Sequence, residues 1–268
     1  MRMPRLGLGT WHMGESRACR APEVAALRLG LDLGLRLVDT AEMYGAGGAE
    51  EVLGEALRGR RGEAYVVSKF YPHHASRRSL FAACDASLAR LGIEQLDCYL
   101  YHWRGSVPLE ETIAALGELV AAGKIRSWGV SNFDVADLEE VVAIPGGEAV
   151  AANQVLYNLA RRGAEFDLLP WCARHAIDVM AYSPLDTGRL LGHPALAVIA
   201  ARLGATPAQV ALAWVLRDPN VATIPKSSRA ESVRANAQAA DLGLDVAALA
   251  ELDRVFPPPR RKTALEML

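Results

Sequence analysis

Eight short apolar runs recur along the chain, and helix-like segments fill most of the intervals between them. The runs lie at 6–10, 36–40, 65–69, 97–102, 126–131, 150–154, 178–183 and 221–225. Most are nearly continuous rather than alternating, as expected of parallel strands covered on both faces. The intervals carry helix punctuation. The segment 22–34 begins with Pro22 and closes on Gly34, the usual asymmetry of helix ends. The segment 76–91 sets Leu80, Cys84, Leu88 and Leu91 on one helical face and stops at Gly92. The segment 109–122 runs into Gly123, and 206–217 opens on Thr206-Pro207 and ends before Asp218-Pro219. Segments 135–143, 164–175 and 246–255 fill other gaps, and Glu50-Glu51 opens a helix after Gly47-Gly48. Strand and helix alternating through one uninterrupted chain predict an α/β fold, a closed (β/α)8 TIM barrel forming one domain over 1–268. An open, doubly wound sheet is the alternative that periodicity leaves.

In such a barrel the chemistry sits at the carboxyl ends of the strands. Here those ends are polar: Asp39, Lys69, His102, Ser131-Asn132, Asn153-Gln154, Tyr182-Ser183 and Lys226-Ser227-Ser228. Taken singly, each has a plain explanation. Asp39 caps a turn, His102 is a satisfied core histidine, Trp11 and Trp103 are packing residues, and Tyr44 belongs to a glycine-rich turn. His73 and His74 look like solvated loop residues. Together they read as a site, because buried strand ends need partners for every polar group. An acid, a lysine and a histidine stand on three successive ends, with Tyr44 five residues after the acid. Adjacent strands are about 4.8 Å apart, so these side chains can meet. A phenol titrates near ~10, and a neighbouring ammonium lowers that value by stabilising the phenolate. A carboxylate holds the ammonium in place.

Composition narrows the function classes. The 268 residues are 51% hydrophobic and 22% charged, with a formal net charge of −2, which argues against a nucleic-acid or anionic-membrane binder. Only four of the 29 basic residues are lysine, so Lys69 is a point charge in a chain whose usual cation is arginine. The four cysteines have no CxxC or zinc-ligand spacing, which predicts buried thiols, no metal site and a cytoplasmic location. The amino-terminal segment has no secretory apolar core, and no apolar run is long enough to span a membrane. Neither GxGxxG between a strand and a helix nor GxSxG occurs.

With these residues in view, the chain resembles the aldo-keto reductase superfamily. The resemblance rests on LGLGTW at 6–11, DTAEMYG at 39–45, VVSKF at 66–70, YLYHW at 99–103, GVSNF at 129–133, NQ at 153–154, AYSPL at 181–185 and IPKSS at 224–228, all in order. It implies NADPH-dependent reduction of aldehydes or ketones by a monomer. It also implies a catalytic group of Asp39, Tyr44, Lys69 and His102, with Tyr44 as proton donor. Trp11 and Trp103 would flank the substrate beside Tyr44 and His102. Cofactor contacts would come from Gly9, Thr10, Trp11 and Asp39, and from Ser131, Asn132 and Gln154 at the carboxamide. Tyr182 would stack on the nicotinamide, followed by Ser183, Pro184 and Leu185. Ile224, Pro225, Lys226, Ser227, Ser228, Arg229 and Asn236 would hold the adenosine-phosphate end. Similarity to bacterial members reading LGxGTW-x-MGE points to small dicarbonyl substrates.

Three places depart from the family pattern. Only residues 1–5 precede the first strand, so the usual amino-terminal hairpin is expected to be absent or truncated. Ser232 and Ala235 stand where the family carries arginine and glutamate, which predicts a narrower preference for NADPH over NADH. The tail FPPPRRKTALEML is short, with Pro257–Pro259 stiffening its start. Two rival functions remain at this stage: a cofactor-binding subunit without turnover, and a phosphate-ester isomerase. The intact acid, tyrosine, lysine and histidine set speaks against the first, and the missing phosphate loop against the second.

Overall fold

A computed structural model describes residues 3–268. The strands are β1 (Gly7–Gly9), β2 (Leu37–Asp39), β3 (Tyr65–Phe70), β4 (Leu96–Tyr101), β5 (Ile125–Ser131), β6 (Ala152–Leu156), β7 (Asp178–Tyr182) and β8 (Val221–Thr223). They pair in parallel in chain order. Parallel bridges Leu6–Thr223 and Gly9–Lys226 join the last strand to the first, so the sheet closes into a (β/α)8 barrel. Gly9 permits that seam, because a Cβ there would lie 2.6 Å from the Ile224 carbonyl oxygen.

The helices are α1 (Arg20–Asp32), α2 (Gly48–Ala56), α3 (Arg77–Leu91), α4 (Leu109–Ala121), α5 (Val135–Ala143), α6 (Leu168–Arg174), α7 (Pro194–Arg202), α8 (Pro207–Val215), α9 (Ala230–Gln238) and α10 (Val246–Val255). Their ends follow local chemistry. Asp134 and Asp137 form a capping box at α5, as Thr206 and Gln209 do at α8, each satisfying otherwise orphaned amides. Gly92 ends α3 in the left-handed conformation. Several element bounds differ from the sequence reading, and one helix is additional. Strand β6 runs on to Leu156, so Gln154 lies inside the strand instead of at its end. Helix α7 was not anticipated. It follows a 3-10 segment, Asp186–Gly192, in which Asp186 and Thr187 take positive φ, a conformation their sequence does not announce.

Strand alternation sets the two cores. Leu37, Val67, Leu100, Ala152 and Met180 point into the barrel, while Val38, Val66, Tyr99, Tyr101, Val155 and Val179 pack outward under the helices. Two residues beyond each inward one, the same face carries Asp39, Lys69, His102, Gln154 and Tyr182. Period two therefore stacks the polar candidates above the apolar interior. The expected absence of an amino-terminal hairpin falls partly on Met1 and Arg2, which lie outside the described residues. Among the described residues no single helix is long and apolar enough to cross a membrane.

Candidate active site

Lys69 is at the centre of the polar layer. Its ammonium, fully buried, donates to Asp39 Oδ2 at 2.8 Å, to the Thr40 carbonyl at 2.9 Å and to Tyr44 Oη at 3.0 Å. Three donors on one tetrahedral nitrogen meet three acceptors, a geometry a planar guanidinium does not reproduce. The His102 ring stands edge-on to Tyr44, with centroids 5.9 Å apart. Its Nδ1 is buried without a hydrogen-bond partner among the described residues. Thr10 braces this group from just beyond β1, its amide and hydroxyl both donating to the Asp39 carbonyl.

The electrostatics differ from expectation in one respect. Burial pushes the Tyr44 phenol above its ordinary value, and the Lys69 cation offsets only part of this. Desolvating a phenolate costs more here than one neighbouring charge returns. The phenol is therefore protonated across the physiological range, the form a proton donor needs. Burial likewise raises the Asp39 carboxyl against the pull of Lys69 and Gln154. Burial alone would lower Lys69, but Asp39 and Tyr44 overcome it and hold the ammonium above its ordinary value. Burial, then the Lys69 cation, pushes His102 down to about 2, so its imidazole is neutral.

The rest of the mouth forms one connected layer. Ser131 Oγ and the Asn132 amide both donate to the Gln154 carbonyl, at 2.9 and 2.8 Å. Asn132, at φ +61, turns its amide nitrogen to the His102 carbonyl at 3.2 Å and accepts from the Tyr182 hydroxyl at 3.0 Å. The tail ends here too: the Leu268 amide donates to the Tyr182 hydroxyl at 3.3 Å. Arg161 anchors the tail through Glu266 at 3.2 Å, and Lys262 does so through Asp134 and Asp167. Asn158 donates to the Ser183 carbonyl at 2.9 Å and holds the segment Ser183, Pro184, Leu185.

At the opposite edge, Ile224 and Pro225 are buried at the β8–β1 seam, and the Gly9 amide donates to the Pro225 carbonyl. Lys226 is exposed beyond them and makes no ion pair among the described residues. Ser227 Oγ accepts from the Arg229 amide. Arg229 then donates to Ser232 Oγ at 3.0 Å. Its guanidinium thus sits beside the position where the family pattern has an arginine. Ser228 is half-buried, and Asn236 lies buried in α9.

Trp11 is 43% exposed and lies tilted against His12 with centroids 4.1 Å apart, while Trp103 packs against His102 with centroids 4.8 Å apart. Sequence reasoning missed Tyr71, whose ring meets Trp103 edge-on at 6.1 Å. The available signal was its spacing, two residues after Lys69 at a strand end. His74 also needs correction. It is half-buried, with Nδ1 2.8 Å from Glu42 Oε1, which also accepts the Tyr71 amide at 2.7 Å. Of the cysteines, Cys19 is exposed, contrary to the expectation of burial, and Cys84, Cys98 and Cys172 are buried. Burial pushes those three thiols up to about 12, so they are not nucleophiles.

Comparison with known proteins identifies the family. The profile of the aldo/keto reductase family matches residues 5–256. A methylglyoxal reductase of Escherichia coli K12, YeaE, is 51% identical over 99% of this chain and 95% of its own. The methylglyoxal reductase DkgB of Salmonella typhimurium is 32% identical over 96% of this chain and 97% of its own. A crystal structure of an aldo-keto reductase from Klebsiella pneumoniae in complex with NADPH superposes with a TM-score of 0.98, at 53% identity, covering 99% of this chain and 95% of that one. The barrel, the polar layer above it and these relatives together show that the chain belongs to the aldo/keto reductase family.

Proposed function

We propose that residues 1–268 form one domain that reduces aldehydes and ketones with NADPH, small dicarbonyls such as methylglyoxal among them. The observation that carries this reading is the Tyr44–Lys69–Asp39 contact set beside a neutral His102, at the mouth of a family barrel. The chemistry of the donor set fits a nicotinamide dinucleotide phosphate. Gln154 has its side-chain oxygen available to an amide, Tyr182 offers a ring at the mouth, and Lys226 is a cation without an ion pair among the described residues, followed by the hydroxyls of Ser227 and Ser228. Ser131, Asn132 and Gln154 would hold the carboxamide, Ser183, Pro184 and Leu185 would add further cofactor contacts, and Lys226, Ser227 and Arg229 would hold the adenosine phosphate. The bound cofactor supplies the hydride.

The chain supplies the proton and the charge control. Tyr44 donates its phenolic proton to the carbonyl oxygen as the carbon is reduced, which yields the alcohol. Lys69 stabilises the phenolate as it develops, and Asp39 keeps Lys69 charged and in place. His102 is neutral, so it donates a hydrogen bond and orients the carbonyl without competing as an acid. Trp11, Trp103 and Tyr71 form the aromatic wall against the substrate. We place the enzyme in the cytoplasm, in keeping with its four free cysteines, and propose that it acts as a monomer. The test is the loss of NADPH absorbance with a panel of small aldehydes and dicarbonyls. Turnover of methylglyoxal supports the reading, and no turnover of any carbonyl refutes it.

A further inference from the structure

Gln154 and Asp39 lie on β6 and β2, four strands apart and so on facing sides of the barrel. Both are buried, at 2% and 1% exposure, and both point inward by strand alternation. Gln154 Nε2 is 2.8 Å from Asp39 Oδ1 and 2.8 Å from Met180 Sδ on the neighbouring strand. A carboxylate only accepts, and a thioether sulfur has no hydrogen to give. The side of the Gln154 amide that faces them is therefore the NH2 group, and its orientation is settled by chemistry. Asp39 thus has one oxygen on Lys69 and the other on Gln154. The Gln154 backbone is fixed as well, because its carbonyl accepts from Ser131 and Asn132.

We propose that Gln154 is a positioning residue of the proton-transfer machinery: its N–H holds the Asp39 carboxylate in the orientation and charge state that keep Lys69 on Tyr44. This goes beyond contact with the nicotinamide and rests on the reading of Tyr44 as proton donor. Since both N–H groups are engaged inside the protein, only Oε1 is left for the carboxamide, from which it would accept a hydrogen bond. One amide thus joins the cofactor seat to the acid. Without its N–H, Asp39 Oδ1 is a buried anionic oxygen with no donor, and the carboxyl becomes easier to protonate.

The direct test is carbon NMR of the protein labelled at aspartate carboxyls, without cofactor, with the Asp39 signal assigned from Asp39→Asn. In Gln154→Leu the Asp39 carboxyl should titrate about one to two pH units higher than in the wild type, the worth of one charge-assisted hydrogen bond. An unchanged titration overturns the proposal. Gln154→Glu retains the shape should the leucine variant not fold. Its introduced carboxyl can donate to Asp39 only when protonated. At saturating NADPH, kcat should fall as pH rises through that carboxyl's titration, a limb the wild type lacks. A raised KM for NADPH with an unaltered kcat profile also overturns the proposal, because the residue would then serve the cofactor alone. The NMR titration needs no turnover, so it decides on Gln154 even if carbonyl reduction itself is not found.

Discussion

Lys69 places its ammonium 3.0 Å from the phenolic oxygen of Tyr44, across 25 residues of sequence. The same nitrogen lies 4.6 Å from the Tyr44 ring centroid, so the cation reaches both the oxygen and the π face. Because burial keeps the phenol protonated, the cation matters most during proton transfer, when charge appears on that oxygen.

Tyr44→Phe removes the proton and keeps the ring. We expect kcat to fall by about 10²–10⁴-fold, the usual worth of general acid catalysis, with little change in the Kd for NADPH. Single-turnover kinetics with methylglyoxal provide the check. Near wild-type rates in a regime limited by chemistry would remove Tyr44 from the mechanism.

Lys69→Met should abolish turnover as severely and also destabilise the fold. It leaves Asp39 buried and without its cation, a change that costs about 3–5 kcal/mol. Lys69→Arg should not restore activity, because a planar guanidinium is too large for a fully buried site with three acceptors around one nitrogen. Chemical unfolding and kcat measured together decide this. A fully active arginine variant would mean that any cation suffices.

His102 makes stability depend on pH. Its folded value, about 2, lies below the ordinary value of 6.5 that applies to the unfolded chain. As pH falls below about 6.5, the unfolded chain gains a proton that the folded site refuses, so stability is lost on acidification. Between pH 7 and pH 5 this group accounts for about 2 kcal/mol. The drop in unfolding free energy over that interval should be smaller by about this amount in His102→Gln. Equal drops in both proteins would show that His102 is not held neutral.

Lys226 and Arg229 should share the recognition of the adenosine phosphate. A lost charge-assisted contact is worth about 1.5–3 kcal/mol, roughly tenfold to a hundredfold in affinity. Lys226→Ala should erase most of the preference for NADPH over NADH, and Arg229→Ala a smaller part. Ser232→Ala should have a milder effect of the same sign, since it frees the Arg229 guanidinium. The measurement is kcat/KM with both cofactors at fixed salt. An unchanged ratio in Lys226→Ala contradicts this assignment.

Much of this protein is local, and local order is readable from sequence. Continuous apolar runs bounded by Gly, Pro and capping residues place the strands, because propensity and period act over a few residues. Alternation also specifies which side chains share a face, so Asp39, Lys69 and His102 can be placed above Leu37, Val67 and Leu100 without coordinates. What needed the tertiary structure is whatever depends on distance between remote segments. Gln154 meets Asp39 because the barrel closes and β6 runs on to Leu156. His74 finds Glu42, and Arg229 finds Ser232, through loop conformations that no period encodes. The direction in which Tyr44 is shifted was also decided there. The sequence shows a cation near a phenol, but the desolvation that outweighs it comes from packing by many residues at once, and only the closed barrel determines how dry that site is.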